Sequence, residues 1–268
     1  DRVLARARAA GGRHRQHGGA AMSSIGTGYD QSTSTYSPDG RIFQIEYAVK
    51  AVDTSGSTAI GIKCVDGVVL GVEKSLVSKM MVEGTHRRIF HLDQHVGLAV
   101  SGVMADARNV MNRGRQEAKA YRSFYGDPIS GQVMANRLAG YMHLHTMYWW
   151  LRPFGTSVLI GCYDEEGPQL YDIDPSGQSY RHFASAVGKG KTAAKSLLEK
   201  LPLSTITCRE AVTELAKIMY SVHDEKEKAF ELEISWVCDE SGKKHMLVPA
   251  DLKAEAEAVA KAAKEEED

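Results

Sequence analysis

Helical and strand patterns follow one another along this chain in an order that leaves few architectures open. One apolar-striped helix comes first. Strands over 57–65 and 68–74 follow, joined by Asp66-Gly67, a dipeptide that between apolar runs marks a tight hairpin. A third strand falls near 95–101, then two long helical patterns near 103–124 and 131–151. Strands near 157–164 and 169–173 flank the turn Glu165-Glu166-Gly167-Pro168, and another near 179–187 follows Asp174-Pro175-Ser176-Gly177. Two more helices come next, the second opened by Thr207-Cys208-Arg209-Glu210, a capping box. Strands near 232–237 and 245–248 enclose Ser241-Gly242, and a Lys/Ala/Glu helix starts near Pro249. Helices arriving in pairs between blocks of hairpins do not make a parallel βαβ sheet. They suit an α/β protein of the α+β type: a four-layer αββα sandwich, two antiparallel sheets face to face with helices outside.

The first helix carries local detail. Ser37 can cap it, Pro38 suits its first position, and Asp39 complements the helix dipole. Ile42, Ile45, Val49 and Val52 form one apolar stripe, and Phe43, Tyr47 and Ala51 form a second beside it. A helix with two apolar faces belongs between neighbours.

Charge separates the ends from the body. The 268 residues carry a formal net charge of −1. Residues 1–21 hold five arginines and one aspartate, and 251–268 hold three lysines against seven acids, so the body is close to neutral. That balance argues against a general nucleic-acid binder, which carries a basic excess. No apolar run approaches the ~18 residues of a membrane span. Cys64, Cys162, Cys208 and Cys238 stand far apart without a CxxC pair, which fits a reduced compartment and indicates neither a disulfide framework nor a zinc site.

Residues 1–21 are Ala, Gly and Arg with little to bury and read as disordered. An organelle transit peptide and a basic arm for nucleic acid compete with a third reading, in which Met22 is the initiator. Serine is absent before residue 22 and no amphipathic repeat is sustained, so we read 1–21 as a non-native extension. The polar segment 22–36 follows, then a domain over 37–250, then a C-terminal helix and acidic tail over 251–268.

Four features could carry chemistry. Gly188-Lys189-Gly190-Lys191-Thr192 resembles the end of a phosphate-binding loop, but Ser185 stands where that loop needs its first glycine. It reads as a strand-to-helix turn. His143 and His145 are two apart on a helix, face different ways, and belong to no HExxH pattern. Tyr148-Trp149-Trp150 reads as core or interface packing rather than a base-stacking platform. Ser57, after Gly56 at the head of the first strand, stands where an N-terminal-nucleophile hydrolase places its nucleophile after self-cleavage. Against this, a capped helix rather than a loose propeptide lies upstream. The basic pair before the next apolar block is Arg87-Arg88, and arginine does not serve as a base near neutral pH.

Tyr29-Asp30 followed by Tyr36-Ser37-Pro38-Asp39-Gly40-Arg41-Ile42-Phe43-Gln44-Ile45-Glu46-Tyr47-Ala48 closely resembles the N-terminal signature of 20S proteasome α subunits. The resemblance continues through 56–63, Ser101-Gly102-Val103-Met104-Ala105-Asp106-Ala107-Arg108, Arg152-Pro153-Phe154-Gly155 and Asp174-Pro175-Ser176-Gly177, so it covers 22 to about 250. The opening over 22–30, the segment 222–236 and the acidic tail point to a eukaryotic branch. The resemblance implies the αββα sandwich of the N-terminal-nucleophile hydrolase-like fold without catalytic residues, cofactors or metal of its own. It implies a seven-membered α ring capping the β-ring subunits, gating of substrate entry, docking of regulatory ATPases and other activators, and a place in cytoplasm and nucleus, with no membrane and no specific nucleic acid as partners. Carried over by position, Tyr29, Asp30, Pro38 and Tyr47 match the gate residues. Gln31 stands where an arginine is frequent. Gly56 and Arg88 match the activator pocket, Arg88 replacing a lysine whose charge it keeps but whose point-like geometry it does not.

Overall fold

The Asp66-Gly67 hairpin sits at the centre of the architecture. The computed structural model describes residues 28–75, 78, 80–82, 84–223 and 230–267. The extension 1–21, the start of the N-terminal segment (22–27) and 224–229 lie outside the described residues. The helices are α1 (Phe43–Asp53), α2 (Met104–Tyr125), α3 (Gly131–Met147), α4 (Lys191–Leu198), α5 (Cys208–Val222) and α6 (Ala250–Glu267). The strands are β1 (Thr58–Lys63), β2 (Gly67–Ser75), β3 (Ile89–Asp93), β4 (Val96–Gly102), β5 (Thr156–Asp164), β6 (Gly167–Ile173), β7 (Ser179–His182), β8 (Ala184–Gly188), β9 (Phe230–Cys238) and β10 (Met246–Leu247).

Two five-stranded sheets form, in the orders β10-β9-β2-β1-β8 and β3-β4-β5-β6-β7, every pairing antiparallel. Central strands read as near-continuous apolar runs because both their faces are covered. In β1 and β2, Ile60, Ile62 and Val69 join a core with Ala211, Leu215 and Met219 of α5, while Ala59, Val68 and Leu70 join one with Ala99, Leu159 and Leu170 of the facing sheet. On that second sheet Val96, Leu98, Val158 and Ile160 turn outward to Val110, Met134 and Leu138 of α2 and α3. Three apolar layers between four structural layers give the αββα sandwich. A Cβ at Gly161 would stand 2.9 Å from Val68, and one at Gly61 2.7 Å from Leu170, so bare backbone at these two positions lets the sheets close.

Four expectations need correction. Residues 38–40 form a turn rather than helix. Gly40 has φ +74°, the left-handed region a helix does not pass through, and the Ser37 hydroxyl accepts the Arg41 N–H instead of capping a helix at Pro38. The stretch 179–187 is two strands in different sheets, and the chain crosses between them at Phe183, whose carbonyl accepts the Lys63 N–H at 2.8 Å. β3 has no counterpart in the sequence pattern: it is short, and a bulge between His91 and Asp93 disrupts its alternation. α3 ends at Met147, where Tyr148 turns extended, so the aromatic cluster lies in a following turn.

Candidate functional site

Two regions hold the residues singled out above. The first is the N-terminal turn against α1. Gln44 Nε2 donates to the Asp30 carbonyl, and the Tyr47 hydroxyl stands 3.5 Å from Asp30 Oδ2. Arg41 pairs with Glu46 through its Nε at 2.7 Å, stiffening the first turn of α1. Thr33, buried, donates to the Tyr148 carbonyl at 3.2 Å and fastens the segment to the end of α3. The structure therefore brings Asp30 and Tyr47 together. Pro38 occupies the turn between them in sequence, and the Tyr29, Tyr36 and Tyr47 side chains are exposed. The sequence does not mark Gln44 and Thr33 as fasteners. Gln44 lies one turn before Tyr47 on the same helix, a spacing from which its reach could have been read.

The second region is the end of the sandwich where β1 begins. Ser57 is fully buried. Its carbonyl accepts from Ser101 Oγ at 2.8 Å and from the Lys189 N–H at 3.2 Å. Its hydroxyl is 3.1 Å from Ser101 Oγ and 3.4 Å from Ser55 Oγ, neither of which is a base. Gly188, at φ +102°, makes this seal possible, since a Cβ there would stand 2.1 Å from the Ser57 carbonyl oxygen.

Arg88 is also inside, at 7% exposure, with Nη1 donating to Gly102 O at 3.2 Å and its backbone N–H donating to Glu233 Oε2 at 2.9 Å. Burial pushes its guanidinium below the ordinary value, against Glu233 and Glu73, which favour the charged form. Gly56, at φ +67°, faces open space. Within the single chain these two are not presented on one surface. Lys74 and Glu73, both buried, complete the charged layer. Lys74 Nζ reaches Glu231 at 2.8 Å, and Glu73 Oε1 reaches His223 Nδ1 at 2.5 Å.

α1 is anchored over this end by Lys191 Nζ, which contacts both Asp53 carboxylate oxygens at 2.7 and 2.8 Å. Two stretches noted separately in the sequence meet here. Arg152 forks onto Asp106 at 2.6 and 2.7 Å, and the Gly155 N–H donates to Asp106 Oδ2 at 2.9 Å. Burial alone would raise the Asp106 carboxyl. The guanidinium and the N–H outweigh it and hold the group below its usual range. The Asp174 turn packs on α3 in the same way, with Gly177 at φ +84° against His143 and Ala139. His143 and His145 bond separate carbonyls, Ser176 O and Tyr141 O, and form no shared site. Lys191 opens α4 after Gly190, as a strand-to-helix turn requires.

Cysteine spacing indicates no metal site. The fold nevertheless converges Cys64, Asp66 and Cys208 at the opposite end of β1. Linear spacing could not show this, because the contact joins a hairpin turn to a distant helix start.

The sandwich thus has Ser57, just before β1, sealed by its neighbours and α1 tied over the same end. The chain belongs to the proteasome subunit family: the family description "Proteasome subunit" matches residues 53–237, and the N-terminal signature of the A-type proteasome subunits matches 29–51. Within the family it is of the α type, an α-ring subunit of the 20S core that assembles with other proteasome subunits in a ring. It is 60% identical over 248 residues to proteasome subunit alpha type-3 of Oryza sativa subsp. japonica, covering 92% of this chain and 99% of that protein. It is 60% identical over 246 residues to the alpha type-3 subunit of Acanthamoeba castellanii, covering 91% and 97%. It is 53% identical over 241 residues to that of Dictyostelium discoideum, covering 90% and 97%.

Proposed function

We propose that this subunit is a non-catalytic ring and gate element of a threonine-protease complex, and that Tyr29, Asp30, Pro38 and Tyr47 are its gate residues. The observation that carries the gate reading is the clamp on Asp30, held through its carbonyl by Gln44 and met at its carboxylate by the Tyr47 hydroxyl. A rigid turn fixed to α1 presents the exposed tyrosines to neighbouring subunits as hydrogen-bonding groups. The sealed Ser57, whose hydroxyl meets two other hydroxyls and no base among the described residues, supports the absence of catalysis. Gly56 and Arg88 contribute to activator docking, including that of regulatory ATPases. Gly56 lines the pocket where an activator's C-terminal carboxylate arrives, and Arg88 lends it a fixed positive charge from within.

Core particles carrying Asp30→Asn or Tyr47→Phe test the gate. Hydrolysis of short fluorogenic peptides is measured with and without an activator, alongside labelling of the β active sites by a covalent probe. Activator-stimulated hydrolysis should fall in both variants while labelling stays constant. Unaltered peptide entry in both would overturn the assignment. Arg88→Ala should reduce stimulation and spare basal hydrolysis. Intact-mass measurement tests the competing reading of Ser57 as nucleophile: a species starting at Ser57 and modified by an epoxyketone probe would establish an active hydrolase.

A further inference from the structure

At the end of the sandwich away from Ser57, the turn that follows β1 meets the start of α5. Cys64 follows the strand, Asp66 occupies the turn, and Cys208 is the first residue of the helix. Their two sulfur atoms and a carboxylate oxygen all lie within 4.8 Å of one another. Both thiols are buried and Asp66 is half-buried. The backbone holds the group in place. The Cys64 N–H donates to Gly67 O at 2.7 Å, the Val65 N–H to Ile206 O at 3.1 Å, and the Cys208 N–H to Asp66 Oδ1 at 2.8 Å. The last of these bonds orients the carboxylate toward the thiols. None of these residues takes part in the gate turn or in the end that encloses Ser57.

We propose that Cys64, Asp66 and Cys208 form a binding site for a soft divalent d10 cation, with zinc the expected ion. Two thiolates select for a soft or borderline cation, and a carboxylate oxygen completes a three-ligand set that zinc accepts without a demand on d-electron geometry. Tetrahedral zinc with bonds of about 2.3 Å to sulfur holds two thiolates roughly 3.8 Å apart, so with the sulfurs already within 4.8 Å side-chain rotation has at most about 1 Å between them to close. The position of Cys208 in the first turn of α5 places the anionic ligand set at the positive end of the helix dipole. A groove of about 290 Å³, lined by Cys64, Val65, Glu166 and Ser204, borders the cluster at Cys64, the side from which an ion would approach. Binding would clasp the β1–β2 turn to α5, two parts of the chain joined there by the Val65–Ile206 main-chain bond and by the Asp66 carboxylate on the Cys208 N–H.

The test uses the metal-stripped full-length chain titrated with cobalt(II), then with zinc. One cobalt per chain should bind, with thiolate-to-cobalt charge transfer in the near ultraviolet and the visible d–d bands of a tetrahedral site. One equivalent of zinc should abolish both. Cys64→Ser and Cys208→Ser should each lose the bands, Asp66→Asn should weaken binding at least tenfold, and Cys162→Ser should retain wild-type binding. Absence of cobalt bands in the wild type, or their survival in the Cys64→Ser/Cys208→Ser double variant, would overturn the proposal. Zinc-edge X-ray absorption of the wild type needs no variant to fold. Two sulfur scatterers per zinc are expected, and a shell of oxygen and nitrogen alone would refute the site.

Discussion

The fork of Arg152 onto Asp106 ties the first turn of α2 to the strand entry at Gly155, and its contribution can be worked out in parts. Asp106→Ala removes two bonds from Arg152 and leaves the buried Gly155 N–H without an acceptor. Hydrogen bonds to a charged group contribute about 1.5–3 kcal/mol. The Arg152 side chain is 68% exposed, so solvent screens its share toward the ~0.2–1 kcal/mol of surface pairs. Asp106→Ala should therefore cost about 2–3 kcal/mol. Arg152→Ala, which spares the Gly155 bond, should cost about 1 kcal/mol. For a chain of this size those losses lower Tm by about 5 °C and about 2 °C respectively.

Acid should narrow the first gap. The Asp106 carboxyl titrates below its ordinary value in the fold, so its contribution is complete above the unfolded value of about 3.9 and is lost as pH falls through the folded one. Thermal melts of wild type, both single variants and the double variant at neutral pH, repeated near pH 3, check each part. Equal destabilisation by Arg152→Ala and Asp106→Ala would refute the division of roles. A gap between Asp106→Ala and wild type that stays constant in acid would refute the ionised carboxylate as its source.

Other expectations follow from single sites. Gly188→Ala should abolish soluble expression, because a Cβ would press on the Ser57 carbonyl and φ is +102°, whereas Gly56→Ala, with open space around it, should cost only about 1 kcal/mol by melting. His245 is buried with its pKa lowered to about 3, chiefly by burial and further by His91. Below about pH 6.5 the unfolded chain takes up a proton that the folded ring refuses, so stability falls by about 1.4 kcal/mol per pH unit from this group. His245→Gln should flatten the melting profile between about pH 6.5 and 5, and an unchanged slope would discount the effect. Leu215→Ala opens a hole between α5 and β2 and should cost about 2–5 kcal/mol in urea denaturation.

The layered architecture was legible because its signals are local and strong. The Thr207–Glu210 capping box forms as read, with the Glu210 carboxylate on the Thr207 N–H at 3.0 Å. The hairpin expected at Asp66-Gly67 also forms, with its turn one residue earlier: the Cys64 N–H on Gly67 O at 2.7 Å encloses Val65-Asp66, and Gly67 already belongs to β2. What the sequence hides depends on distant partners. Ser37 looks like a helix cap until Gly40 is seen to turn left-handed. The 179–187 run keeps its strand-like pattern through a change of sheet, which no turn residue announces. The residues of the N-terminal turn were recognisable as a pattern, but the Gln44 and Thr33 bonds that hold the segment require the folded distances. Arg88 read, through the resemblance, as the charge of an activator pocket, and only packing shows it lying between the sheets, against Gly102 and Glu233.

The crossing at Phe183 also bears on how such chains vary in length. One residue separates β7 from β8, and its carbonyl is already bonded to β1. An inserted residue would reverse the faces of β8, driving Ala186 toward the opposite sheet and Val187 toward the helices. The corner therefore admits neither insertion nor deletion, and it fixes the link between β7 and β8 at one residue. Length changes among relatives should fall instead at longer exposed loops such as 239–244, between the end of β9 and the start of β10.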